Sequence, residues 1–121
     1  MYHYEIANRR KGIKTMTTIT LMNWLKAAYN IKSDYQLAKK LNVKPQTISR
    51  YMLGQSFLDD KMSFEVAELL ELEPALIVAC VNLERAERQG DAKLIEFWEQ
   101  YAEKIPRPRQ NGDTPKASKA A

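Results

Sequence analysis

Between Ser33 and Gly54 the chain reads SDYQLAKKLNVKPQTISRYMLG, a run that leaves its backbone few options. Ser33 and Gln36 have the S-x-x-Q spacing of a capping box, in which each side chain satisfies an orphan N–H of the first helical turn. Leu37, Ala38 and Leu41 then fall on one helix face, and the small Ala38 lets a second helix pass close. Asn42 tolerates a positive φ where that helix stops. Val43 is a single apolar plug in the turn, and Pro45 suits the first position of a new helix, where its missing N–H costs nothing. Ile48, Tyr51 and Met52 form the inner stripe of this second helix, and Gly54 marks its end. The run therefore predicts two short helices joined by a tight turn.

The flanking sequence extends this to an all-α fold. Leu21, Trp24, Leu25 and Ala28 repeat at i, i+3, i+4, i+7, which predicts a helix over 21–29 with Thr20 as its N-cap. Trp24 lies within that stripe and reads as core rather than as a base-stacking residue. Asp59 or Asp60 opens a further helix with Met62, Val66, Leu69 and Leu70 inside. No third carboxylate or histidine is spaced to make the two aspartates a metal site. Pro74 opens a helix reaching Gln89, and its run ALIVACVNL is apolar on nearly every side, so it is central to the core or shared with a partner. Cys80 there reads as a small buried hydrophobe. After the Gly90-Asp91 break, a helix over 92–104 carries Leu94, Phe97 or Trp98, Tyr101 and Ile105 on one wall and Glu96, Glu99, Gln100 and Glu103 on the other. That helix either lids the core or forms a dimer surface.

Charge divides the chain. Residues 20–56 hold six Lys/Arg and one acid, Asp34, for a net +5, whereas residues 57–104 hold five basic and twelve acidic residues, for a net −7. A polyanion would dock on the first part and be repelled by the second. Residues 1–19 form a basic extension with Arg9, Arg10, Lys11 and Lys14 and no sustained periodicity. It reads as disordered; a DNA-contacting arm and a true start at Met16 are the alternatives. Residues 106–121, rich in Pro, Lys and Ala, read as a disordered tail. Between these lie a main domain over 20–89 and an accessory helix over 90–105.

Little else in the chain carries chemistry. One cysteine excludes an intramolecular disulfide, and the sole histidine is His3. There is no nucleophile–base pair, metal-ligand spacing or phosphate-cradling glycine loop, so no enzyme, cofactor, metal or small-molecule ligand is expected. No signal peptide or membrane-length apolar run is present, which points to a soluble, intracellular protein.

The central pattern resembles the helix-turn-helix of the Cro/repressor (Xre-type) family of phage and bacterial DNA-binding proteins. The resemblance is carried by Gln36–Leu37–Ala38 on the first helix, Asn42–Val43 in the turn and Pro45–Tyr51 on the second, and extends more loosely over 21–83. Two positions depart from the family: Asn42 stands where Gly is usual, and Lys44 where Ser or Thr usually caps the second helix, which weakens that cap by roughly 1 kcal/mol. The acidic second half and its Trp-bearing helix are also similar to small filamentous-phage and prophage proteins. The resemblance implies a five-helix lambda-repressor-like domain with an added C-terminal helix, acting as a transcriptional regulator in the bacterial cytoplasm, associated with the nucleoid. It implies binding to a short inverted repeat of double-stranded DNA as a homodimer.

In such an architecture the second helix lies in the major groove. With Ile48, Tyr51 and Met52 inward, the outer face presents Gln46 and Arg50, then Thr47, then Lys44 and Ser49, as base-reading candidates. Gln pairs bidentately with adenine, and Arg with guanine O6 and N7. Ser33, Gln36, Lys32, Lys39 and Lys40 are the backbone-contact candidates, and the loop Gly54-Gln55-Ser56 offers further amides. The alternative function is a protein-interaction module, such as an antitoxin or phage accessory protein, with auxiliary DNA binding.

Overall fold

The computed structural model describes residues 16–105; the basic stretch through Thr15 and the tail beyond Ile105 lie outside the described residues. Six helices follow in order: α1 (Thr18–Ala28), α2 (Asp34–Leu41), α3 (Pro45–Met52), α4 (Asp60–Leu70), α5 (Pro74–Gln89) and α6 (Ala92–Glu103). No strand occurs among the described residues, so the fold is all-α as expected. None of these helices is long and apolar enough to cross a membrane.

Local chemistry sets most helix ends. Ser33 accepts from the N–H of Gln36 at 3.1 Å, Asp59 from Met62 at 2.8 Å, and Asp91 from Lys93 and Leu94 at 3.1 and 3.2 Å. Each of α1 to α5 is followed by one residue at positive φ: Asn30, Asn42, Gly54, Glu71 and Gly90. In each case the next N–H bonds back to the carbonyl five residues earlier, as Val43 does to Ala38 and Gln55 to Arg50. One device thus turns the chain five times, and only two of those turns use glycine.

Helix α1 starts earlier than its apolar stripe indicates. Thr17, not Thr20, is the N-cap, and its hydroxyl accepts from the N–H of Thr20. The start is completed from α5: Glu84 Oε1 accepts from the N–H of Thr18 at 3.0 Å and from its hydroxyl at 2.9 Å. Met16 is buried in the core, so 16–19 belong to the folded part rather than to the extension.

A single core runs through all six helices, with Leu21, Met22 and Leu25 of α1, Leu37 of α2, Ile48 of α3, Val66 of α4 and Leu76, Ile77 and Leu83 of α5 at most 1% exposed. Helix α1 packs on α2, α3 and α4, while α5 lies between α4 and α6. Leu58, in the linker before α4, is fully buried, an anchor of roughly 2 kcal/mol on transfer from water.

Helix α6 corrects the expected wall assignment. Its inner side consists of Ile95, Trp98, Glu99, Ala102 and Ile105, whereas Leu94, Phe97 and Tyr101 are 40%, 54% and 44% exposed. Glu99, placed outside by its charge, is buried, because it lies on the stripe set by Ile95 and Ala102. The fully buried Ala102 lets α6 approach closely. Helix α6 therefore lids the core and still shows an aromatic outer face. There Phe97 stacks on Tyr101 with centroids 6.2 Å apart, and Trp98 meets both edge-on.

Candidate nucleic-acid interface

Helices α2 and α3 are separated by Asn42, Val43 and Lys44, and α1 packs against both. Ser33 and Asn42 set the ends of α2, and Pro45 starts α3 behind Lys44, whose side chain makes no cap hydrogen bond. Ile48 and Tyr51 are buried and hold α3 by its inner stripe. Burial, and then the nearby Asp59 carboxylate, raise the pKa of the Tyr51 phenol.

The outer face of α3 carries the polar set. Gln46, Ser49 and Arg50 are exposed, as is Lys44 at the helix entrance, while Thr47 is half-buried at the edge. Leu53 shares this face, two turns beyond Gln46, and is 66% exposed. Sequence reasoning passed over it, although its i+7 spacing from Gln46 was readable. An apolar side chain there suits a thymine methyl group.

The backbone candidates divide. Lys32, Gln36, Lys39 and Lys40 are exposed and Ser33 is half-buried. Gln36 departs from the expected capping box: its side-chain Oε1 accepts from the N–H of Lys32 at 2.8 Å, not from that of Ser33. Asp34, the single acid of the basic stretch, is taken up by Lys26 at 2.5 Å. Lys39 lies 5.5 Å from the centroid of the Tyr35 ring. Lys40 sits 4.2 Å over the Tyr29 ring, whose hydroxyl donates to the Leu69 carbonyl. Reaching a phosphate would cost Lys40 that contact, about 0.5–1 kcal/mol at an exposed site.

The loop after α3 departs most from expectation. The amides of Gly54 and Gln55 donate to the carbonyls of Tyr51 and Arg50, at 3.1 and 2.9 Å, and so are committed to ending α3. Two arginines of the acidic half stand at this loop instead. Arg85 donates to the Leu58 carbonyl at 2.9 Å and Arg88 to the Gly54 carbonyl. Their guanidinium carbons lie 5.8 and 5.3 Å from the centroid of the Phe57 ring between them. No local pattern in the sequence ties α5 to this loop.

Among the described residues no group of three His, Cys, Asp or Glu side chains could hold a metal ion. Cys80, the single cysteine of the chain, is buried. What this surface offers is exposed donors and positive charge on a short helix held from behind.

No family model matches the chain, and no solved structure matches it. Among curated proteins it is similar to "Uncharacterized protein Gp-c" of Pseudoalteromonas phage PM2, at 30% identity over 87 residues, which span 71% of this chain and 95% of that protein. The chain belongs to the same family as this phage protein.

Proposed function

We propose that this chain is a sequence-specific DNA-binding transcriptional regulator of the Cro/repressor type, a phage or mobile-element repressor. In this reading 18–89 form a lambda-repressor-like helix-turn-helix domain and α6 is an addition to it. The observation that carries the reading is the outer face of α3, where Gln46, Ser49 and Arg50 are exposed while Ile48 and Tyr51 anchor the helix behind them. The basic character of the stretch around that face and a relative encoded by a phage support it.

Gln46 and Arg50 read base edges, Thr47, Ser49, Lys44 and Leu53 shape the contact, and Ser33, Gln36, Lys32 and Lys39 hold phosphates. One such helix covers few base pairs, so a homodimer places two of them on half-sites about one helical turn apart. The outer face of α6, with Leu94, Phe97 and Tyr101, supplies apolar surface for the pairing. Selection of bound fragments from random duplex DNA, combined with sedimentation of the free protein, tests this. The expected result is a short inverted repeat and a dimer. Recovery of no enriched sequence refutes base-specific binding.

The same face of α6 favours a second reading, an antitoxin or phage accessory protein that binds another chain and contacts DNA only as an auxiliary. A stable heteromer on purification, with no shift of DNA at low salt, would select it.

A further inference from the structure

The two arginines of α5 belong to neither half as the charge count divides the chain. They lie on the helix of the acidic half, yet both reach the linker that leaves α3. Their fixed geometry has three sources. Arg85 is half-buried and donates to the Leu58 carbonyl. Arg88 is exposed and donates to the Gly54 carbonyl, at the end of α3. Phe57 offers its ring to both guanidinium groups.

These contacts are to carbonyls and a ring, neutral groups that hold a cation without cancelling its charge. A guanidinium has five N–H donors in a rigid fork, so one carbonyl leaves others for a second acceptor. Ordering the side chain beforehand lowers the entropy lost when an anion arrives. Two nearby acids are held by other hydrogen bonds, although Glu84 also feels the Arg85 charge. Asp59 is turned to the N–H of Met62, and Glu84, next to Arg85 in sequence, accepts from Thr18. Two of the amides in the loop Gly54-Gln55-Ser56, those of Gly54 and Gln55, are committed to the α3 cap, so the charge available to an anion at this place comes from side chains.

We propose that Arg88, braced by Arg85 and Phe57, grips a phosphodiester of the DNA backbone beside the C-terminal end of α3. The ligand is a phosphate of the duplex, read without regard to base. This rests on the DNA-binding reading above and extends its contact surface to α5.

The test is the salt dependence of binding to a selected duplex and to a scrambled duplex, for the wild type and for Arg88→Gln and Arg85→Gln. Glutamine removes the charge and keeps a donor for the carbonyl. For Arg88→Gln the slope of log K against log[salt] should shrink by about 0.9, the value for one lost phosphate contact. Affinity should fall by the same factor on both duplexes. Arg85→Gln should give a smaller change of the same kind, and thermal unfolding of each variant checks that the fold is kept. An unchanged slope in Arg88→Gln, or lost sequence preference at constant slope, overturns the proposal and leaves these residues only the task of holding the linker. A wild type that binds no duplex even at low salt would instead overturn the DNA-binding reading itself, and this proposal with it.

Discussion

Helices α3 and α6 are both amphipathic, both lie at the surface, and both leave one face uncovered. What they expose differs: Gln46, Ser49 and Arg50 on α3, against Leu94, Phe97 and Tyr101 on α6. Burying a charge or amide on protein requires a partner for each polar atom, whereas an aromatic face gains from any dry contact. The first surface is therefore the one proposed to meet DNA, and the second the one proposed to meet protein. The comparison teaches that the outer side of a helix, not its anchoring stripe, carries the functional information.

The largest break in this comparison should come from the anchoring side. Ile48→Ala should cost about 2–5 kcal/mol of unfolding free energy in a denaturant titration, because the side chain is fully buried. Gln46→Ala, two residues away on the opposite face of the same helix, should leave stability within about 0.5 kcal/mol and act only on the proposed DNA binding.

Next in size is the clamp between the two halves. Glu84→Ala removes the acceptor for the N–H and hydroxyl of Thr18 and should cost about 1–3 kcal/mol. Burial raises the Glu84 pKa, against the opposing effect of the Thr18 hydrogen bonds and Arg85. Between the unfolded carboxylate value and this raised one, the folded chain holds a proton that the unfolded chain has released. The contribution of this group to stability therefore falls as pH rises through that window. Glu84→Gln, neutral at every pH, should gain on the wild type across the same window and then level off, as read from unfolding curves between acidic and neutral pH.

A smaller effect of opposite sign is expected at Ser63, whose buried hydroxyl has no hydrogen-bond partner among the described residues. Ser63→Ala should stabilise the fold by roughly 1 kcal/mol, seen as a higher unfolding midpoint. Smallest of all, Phe97→Ser should change the stability of the isolated monomer by less than about 0.5 kcal/mol, yet lower the dimer fraction in sedimentation if α6 pairs protomers.

Much of the fold was legible because capping is local chemistry. Ser33, Asn42, Pro45, Asp59, Pro74 and Asp91 mark helix ends within a few residues of sequence, and the structure uses each of them. The start of α1 was ambiguous, since Thr17, Thr18 and Thr20 can each cap a helix and the partner that completes the observed start, Glu84, is 66 residues away. Helix α6 was misread for a different reason: apolar residues occur on two sides of it, and α5, not periodicity, decides which side packs. In α3 the large apolar residues lie on one side alone, so the inner and outer faces could be told apart. The arginines at the linker were invisible because only tertiary structure brings Gly54 to Arg88.

The most direct test of the central claim is equilibrium binding of a selected duplex by the wild type and by a Gln46→Ala/Arg50→Ala double variant, with folding checked by circular dichroism. The account predicts that the variant stays folded, loses at least 1–3 kcal/mol of affinity for the selected site, and binds selected and scrambled duplexes about equally. A folded variant that still prefers the selected site as strongly as the wild type does would contradict it.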